Sequence, residues 1–230
     1  MVERLAGVKA SVGFASETGP RERNEDFGGA VFGMELPQPR RDIVAAIADG
    51  IGGHKGGRVA AETAVRGFLD GFCDLPETME VRRASATVLN ALNRWIYTLG
   101  QRDVQSAGMG CTFTALVLRG RVAHVVHVGD TRAYRLRGDR LTLLTVDHVR
   151  DNGSGRSNIL NRALGVEMEV RLDYATQPVA RHDRFLLCSD GVHGVLTAET
   201  ITDILRERSA SEDSARALVA AALEYGSTDN

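Results

Sequence analysis

The sequence predicts an α+β fold: a four-layer sandwich in which two antiparallel β-sheets pack face to face and helices cover each outer face. Two observations predict it. Strand-like runs are grouped and joined by short turns, and amphipathic helical patterns come in pairs, whereas a parallel sheet would alternate strands with helices. The 230 residues are enough for a sizeable core, and we expect a single domain over residues 1–230.

The first half of the chain holds three predicted strands and two predicted helices. They lie at 9–15, 27–32, 42–48, 58–72 and 80–99. In the two helical segments, apolar residues recur at three- and four-residue steps. Trp95 lies in the second apolar stripe, which predicts that it is a core residue.

The second half returns to strands and ends with two helices. Strands are predicted at 111–118, 122–128, 132–136, 141–144, 170–176 and 184–188, and helices at 198–208 and 211–225. The short links 119–121 and 137–140 indicate hairpin turns. Thr197 and Ser211 are the predicted N-caps of the two helices.

The composition argues against several classes of function. A formal net charge of −2 leaves no basic footprint for nucleic acid. No apolar run approaches the ~20 residues that cross a bilayer, and the first residues lack the apolar stretch of a secretory signal. Cys73, Cys111 and Cys188 are isolated cysteines without metal-binding spacing, so we expect reduced thiols in a cytoplasmic protein.

Acidic residues lie where an apolar strand ends or a turn begins. Asp49 directly follows the strand at 42–48 and opens the glycine-rich run 49–57. The other acidic positions of this kind are Glu25, Asp26, Asp130, Asp190 and Asp229. Carboxylates brought together repel one another unless cations hold them, and Mg²⁺ and Mn²⁺ prefer oxygen ligands. The pattern therefore predicts a metal site.

Each acidic position also has a plainer interpretation. An Asp-Gly pair after a strand usually forms a turn, because Asp bonds its own backbone and Gly adopts positive φ. For any one position alone, the turn is the better interpretation. Several acidic strand ends in one short chain favour the metal site, and the glycines after Asp49 let backbone groups approach a metal or phosphate closely.

Six short motifs stand in order between Val12 and Asn230. They are Arg21…Asn24-Glu25-Asp26, Asp49-Gly50-Ile51-Gly52-Gly53, Gly110-Cys111-Thr112, Gly129-Asp130-Thr131-Arg132, Ser189-Asp190-Gly191 and Asp229-Asn230. With this ordered set the chain resembles the metal-dependent protein serine/threonine phosphatases of type 2C, the PPM family, of bacterial type. The fold of that family agrees with the sandwich predicted above.

The resemblance implies a cage for two ions, Mn²⁺ or Mg²⁺. Asp49 would bridge the two ions, with the carbonyl oxygen of Gly50 on one of them. Asp190 and Asp229 would hold the other ion. Each of these residues occupies the matching position of a family motif, so their metal roles are expectations from the resemblance.

Further site residues follow from the same resemblance. Glu25 or Asp26 would complete the two-ion site, Asp26 through bound waters, and Asp130 matches the position of a third, weaker ion. Arg21 would bind the substrate phosphate, because its planar fork fits phosphate oxygens. Arg132 could steady the carboxylate of Asp130 or contact a phosphate, and both alternatives stay open.

The function implied is hydrolysis of phosphoserine and phosphothreonine in proteins by a metal-activated water, with Asp49 and Arg21 as catalytic residues. The partners implied are phosphorylated proteins and a cognate Ser/Thr kinase, without nucleic acid or membrane, and we expect a monomer. A regulatory module that binds metal or a phosphoprotein without turnover is the alternative, which the complete carboxylate set disfavours. A metal-dependent nuclease is disfavoured by the acidic balance.

The chain departs from the family pattern at several places. Ile51 stands where some members carry a His proposed as general acid, and His54 is not a secure replacement. The stretch between His148 and Asn158 is shorter than in most bacterial members and resembles phosphatase domains fused to a kinase. An apolar strand follows the Asp-Asn pair in the family, so we expect a domain truncated before its last strand, with Asp229 on an untethered end.

The remaining histidines have structural interpretations. His124 and His127 lie three apart in one predicted strand, so they face opposite sides of the sheet. His148 begins a loop, and a metal role is its less favoured alternative. His193 is expected to be exposed, although it lies close to a predicted metal ligand in the sequence.

Overall fold

The computed structural model describes residues 2–5, 8–36, 42–52, 56–102, 107–150, 159–207 and 209–230. Its strands are β1 (Val2–Leu5), β2 (Val8–Ser11), β3 (Phe27–Phe32), β4 (Asp42–Ala48), β5 (Gly50–Ile51), β6 (Gly110–Cys111), β7 (Phe113–Arg119), β8 (Val122–Val128), β9 (Arg132–Arg137), β10 (Arg140–Leu143), β11 (Val149–Arg150), β12 (Ile159–Leu160), β13 (Asp173–Pro178) and β14 (Arg184–Cys188). Its helices are α1 (Gly56–Asp74), α2 (Val81–Gly100), α3 (Asp190–His193), α4 (Ala198–Arg206) and α5 (Ser211–Glu224), with a 3₁₀ turn at Gly33–Glu35.

The larger sheet has five antiparallel strands in the order β13-β8-β7-β4-β3. β4 is an internal strand, in which Ala45 pairs with Ala30 on β3 and with Leu116 on β7. The apolar run that ends at Asp49 is therefore hydrogen-bonded on both edges. α1 and α2 cover one face of this sheet, where the buried ring of Phe68 meets that of Phe113 edge-on at 5.1 Å. Burying such a side chain contributes roughly 2–3 kcal/mol to stability.

The second sheet has three antiparallel strands in the order β10-β9-β14. α4 and α5 cover its outer face, where Leu136 of β9 packs in one cluster with Ile201 and Leu218. Its inner face meets the larger sheet through Ala133 and Val125. The layers run helices, sheet, sheet, helices, so the predicted α+β four-layer sandwich is confirmed.

The strand predicted at 111–118 is broken at Thr112, between β6 and β7. The backbone N–H of Thr112 donates to the Asp49 carbonyl oxygen at 2.8 Å, and its hydroxyl accepts from the Asp49 N–H at 2.9 Å. Cys111 instead exchanges backbone hydrogen bonds with Leu164. The break thus serves to hold the turn that carries Asp49.

Two local predictions about the helices are wrong and one is confirmed. Trp95 is 52% exposed, because the buried stripe of α2 runs through Asn93 and Ile96 instead. Ser211 is the first residue of α5 and the N-cap is Ala210. Thr197 caps α4, since its side chain accepts from the N–H three residues on.

The second, three-stranded sheet ends at β14. Among the described residues no strand pairs with its outer edge, and a cavity of about 580 Å³ lies along it between the sheets. The expected strand after Asn230 stays a prediction. His54 and residues 151–158, which include most of the shortened stretch, lie outside the described residues. No helix in the described ranges is long and apolar enough to span a membrane.

Candidate active site

Asp49 lies at the end of β4, where the chain turns into the short strand β5. Both backbone hydrogen bonds to Thr112 fix its main chain. Gly50 packs against the first turn of α1 so closely that a Cβ there would lie 2.3 Å from the carbonyl carbon of Gly57. A side chain cannot occupy that space, so glycine at position 50 lets α1 begin beside the Asp49 carboxylate.

Asp26 and Asp49 influence each other inside the protein. The Asp26 side chain is buried and accepts a hydrogen bond from the Ser189 hydroxyl at 2.6 Å, and its charge disfavours ionisation of Asp49. Burial, followed by repulsion between the carboxylates, raises the pKa of Asp26 to about 6 and that of Asp49 well above its usual range.

Asp190 and Asp130 add negative charge to the same place. Asp190 begins α3, and its Oδ1 atom is buried without a hydrogen-bond partner. Burial and then the charge of Asp229 raise the pKa of Asp190. Asp130 follows β8, and burial and then the charge of Asp190 raise its pKa to about 6. Arg21 and Arg132 offset these charges only in part, so a cation would stabilise the charged carboxylates.

Asp229 is tied to the loop near the start of the chain. Arg21 donates a hydrogen bond from Nη2 to Asp229 Oδ2 at 2.5 Å and also donates to the Thr228 carbonyl oxygen. The Asn230 side chain accepts from the Glu25 N–H at 2.8 Å and donates to the Thr18 carbonyl oxygen at 2.9 Å. The expectation that Asp229 hangs from an untethered end is therefore wrong, because these side-chain contacts hold the segment.

Glu25 lies beside the others, against the start of α1. A Cβ added at Gly57 would be 2.5 Å from Glu25 Oε2, so the carboxylate rests on the helix at a glycine. Burial raises the pKa of Glu25 even though Arg21 and Arg23 favour its charged form. The predicted ligands from five separate segments thus influence one another electrostatically, as the pKa shifts show.

The residues present fit a divalent cation. Asp190 Oδ1 is a buried oxygen without a hydrogen-bond partner, and the pKa values of Asp26 and Asp49 are raised, so these hard oxygen donors would be stabilised in their charged form by a cation. As they stand in the described residues, no three Asp, Glu, His or Cys side chains converge closely enough to hold an ion. Binding would require the carboxyl groups to be ionised and to draw together.

His148 and His193 were not predicted as site residues, but both are hydrogen-bonded to the turn that carries Asp130. His193 is half-buried, and its Nε2 donates to the Asp130 carbonyl oxygen at 2.9 Å, so the expectation that it is exposed is wrong. The His148 side chain is buried with both ring nitrogens hydrogen-bonded to protein atoms. Arg132 forms its ion pair with Asp147, at 2.7 Å, rather than with Asp130.

The comparison with known proteins decides the family. The sequence model described as protein phosphatase 2C matches residues 36–225. The chain belongs to the protein phosphatase 2C family. The serine/threonine phosphatase stp of Listeria welshimeri is 32% identical, covering 91% of this chain and 88% of that one. Protein phosphatase PhpP of Streptococcus pneumoniae is 31% identical, covering 80% and 81%.

Solved structures agree with this phosphatase fold. The S. agalactiae serine/threonine phosphatase superposes with a TM-score of 0.85 at 26% identity, covering 95% of each chain. The Mycobacterium tuberculosis phosphatase PstP/Ppp superposes with a TM-score of 0.81 at 28% identity, covering 94% of this chain and 93% of that one. The resemblance predicted from the motifs, and the fold it implied, are confirmed.

Proposed function

We propose that the carboxylate cluster is the site at which this protein phosphatase hydrolyses phosphoserine and phosphothreonine in proteins. The observation that carries the proposal is the buried negative charge itself. Carboxylates from five separate segments influence one another electrostatically, and Asp190 Oδ1 has no hydrogen-bond partner. Such a cluster is stable only when protons or cations neutralise it. Because the chain belongs to a family of metal-dependent hydrolases, cations are the neutralising groups in this proposal.

The proposed ligands for two Mn²⁺ or Mg²⁺ ions are Glu25, Asp26, Asp49, the Gly50 carbonyl, Asp190 and Asp229, with Asp130 for a weaker third. All are hard oxygen donors, which suits these ions. When bound, the ions would supply an activated water and would neutralise charge on the transferring phosphoryl group. Cys188, next to the cluster in the sequence, does not compete as a nucleophile, because burial raises its thiol pKa to about 12.

Arg21 is the residue proposed to bind the phosphate. Its side chain is 55% exposed at the edge of the cluster, so its guanidinium can reach a substrate from solvent. The planar fork suits two phosphate oxygens. Ile51 cannot donate a proton, and it lies on β5 paired with Gly110. The leaving serine or threonine oxygen therefore takes its proton from water in this proposal.

The partners are also proposals. Relatives named as serine/threonine phosphatases support phosphorylated proteins as substrates. A cognate Ser/Thr kinase, a monomeric state and a cytoplasmic location remain expectations from the sequence.

Turnover of p-nitrophenyl phosphate and of a phosphothreonine peptide with Mn²⁺ tests the proposal. EDTA and Asp190→Ala should each abolish turnover, whereas Asp139→Ala, which changes an exposed carboxylate on the β9–β10 turn, should leave it unchanged. Undiminished turnover in EDTA would refute the metal mechanism. If calorimetry shows Mn²⁺ binding but no turnover is measured, the regulatory module would be supported instead. The observation that favours that module is Ile51, which stands where some family members carry a general acid.

A further inference from the structure

The turn at Gly129 and Asp130 is packed onto the residue that holds Asp49. Gly129 has φ +107°, and a Cβ there would lie 2.5 Å from the Cβ of Thr112. Thr112 in turn makes both hydrogen bonds to the Asp49 main chain. The position of Asp130 relative to Asp49 therefore depends on how this turn is held.

His148 holds the turn from one side. Its backbone N–H donates to the Gly129 carbonyl oxygen at 2.7 Å, and its ring Nδ1 accepts from the Gly129 N–H at 3.1 Å. Because Nδ1 is an acceptor, the ring proton is on Nε2, which donates to Asp173 Oδ2 at 3.1 Å. Arg162 Nη1 donates to the other oxygen of Asp173, Oδ1, at 3.0 Å.

His193 holds the turn from the other side. Its Nε2 donates to the Asp130 carbonyl oxygen at 2.9 Å. His193 is the last residue of α3, the helix that begins with Asp190. Two imidazoles thus hold successive backbone groups of one turn, and one of them lies on the helix that carries the neighbouring carboxylate.

We propose that His148 and His193, the imidazole clamp, are positioning residues that keep the Asp130 carboxylate facing Asp190. The clamp sets the affinity of the weakest of the proposed ions. This proposal rests on the proposed function, because the position of the Asp130 carboxylate matters only if that carboxylate binds a metal ion. Neither imidazole contacts a donor oxygen of a carboxylate in the cluster, so the clamp acts through the backbone and not as a ligand.

The two imidazoles use different ring nitrogens on the turn, and this makes opposite rescues possible. The amide oxygen of Asn lies near the position of Nδ1, and the amide nitrogen of Gln lies near that of Nε2. His148→Asn should keep the acceptor for Gly129, whereas His148→Gln should lose it. His193→Gln should keep the donor to Asp130, whereas His193→Asn should lose it.

The experiment titrates Mn²⁺ into each variant, follows free Mn²⁺ by electron paramagnetic resonance, and measures the Mn²⁺ concentration for half-maximal turnover. Loss of one hydrogen bond should weaken the weakest Mn²⁺ site about fivefold to tenfold, with the tighter sites unchanged. His148→Gln and His193→Asn should show the loss, and His148→Asn and His193→Gln should not. His124→Gln is the control, because its Nδ1 is hydrogen-bonded to Tyr174 away from the cluster.

The outcomes separate the two proposals. Equal Mn²⁺ affinities for the Asn and Gln variants at both positions would refute the clamp. A parallel weakening of every Mn²⁺ site, together with a lower melting temperature, would show a structural role only and would also refute it. Absence of Mn²⁺ binding by the unsubstituted protein would refute the proposed function itself.

Discussion

Neutralising one carboxylate of the cluster should stabilise the metal-free protein, and Asp130→Asn is the cleanest case. Burial and then Asp190 raise the pKa of Asp130 to about 6, from an ordinary value of 3.8. One pKa unit corresponds to about 1.4 kcal/mol, so the charged carboxylate destabilises the fold by roughly 3 kcal/mol at high pH. Solvent reaches part of this side chain, and screening reduces the expected gain to about 1–2 kcal/mol.

The free energy of unfolding gained in Asp130→Asn must depend on pH. Because the folded-state pKa lies above the unfolded value, the stability that the protonated Asp130 carboxyl group contributes is fully present below about pH 4 and is lost as pH rises through about 6. Asp130→Asn should therefore change nothing near pH 4 and should raise the free energy of unfolding at pH 8. With saturating Mn²⁺ the order should reverse, because an ion bound at 100 times its Kd stabilises by about 2.7 kcal/mol and the variant binds it less well.

Urea unfolding in EDTA at pH 4, 6 and 8, repeated at pH 8 with Mn²⁺, measures these differences. Asp139→Asn serves as the control, because its side chain is 82% exposed and it should stay within about 0.5 kcal/mol of the unsubstituted protein throughout. A loss of stability for Asp130→Asn in EDTA, equal at all three pH values, would mean that the carboxylate makes favourable contacts. The interpretation of the cluster as repelling charges would then be wrong.

Two further predictions concern the scaffold. Arg119→Met should cost about 3 kcal/mol in urea unfolding, because it removes the bidentate guanidinium from Asp42, whose side chain is only 1% exposed; a change below about 1 kcal/mol would contradict this. Gly129→Ala should cost about 2 kcal/mol or more and should raise the Mn²⁺ concentration for half-maximal turnover, because φ +107° and the Cβ of Thr112 at 2.5 Å leave no space for a methyl group; an unchanged melting temperature and Mn²⁺ requirement would contradict that.

Strong local signals explain which parts of the fold could be predicted from the sequence. The strands at 42–48, 122–128 and 184–188 were predicted with their observed bounds. Each is rich in apolar residues and is followed within two residues by an acidic residue or a turn glycine, so the composition of the strand and the residues that end it indicate the same bounds. Trp95 was misplaced because two stripes one residue apart fit the same helix. Only packing decides that polar Asn93 faces inward, where it bonds backbone groups of Gly165 and Glu167, more than 70 residues further along the chain.

The site could be predicted only in part, for a similar reason. The carboxylates stand at strand ends, which sequence patterns mark. His148 and His193 act through backbone groups at Gly129 and Asp130, which lie 19 and 63 residues away along the chain. No local sequence pattern indicates a contact between residues so far apart along the chain. The Asp-His pair at 147–148 was a usable signal, because a polar pair after an apolar run often caps or holds a turn.

The contact between Arg21 and Asp229 predicts that phosphate binding depends on the metal. The guanidinium of Arg21 donates to Asp229 Oδ2, yet Arg21 is proposed to bind phosphate and Asp229 to bind metal, so an ion that binds Asp229 would release Arg21 for the phosphate. Phosphate affinity, measured by calorimetry with Mg²⁺ and with EDTA, should therefore fall about tenfold in Arg21→Ala when Mg²⁺ is present and hardly at all when it is absent. Asp229→Ala in EDTA should restore a contribution from Arg21, because its competing partner is gone. An equal effect of Arg21→Ala in Mg²⁺ and EDTA would show that the two roles are independent.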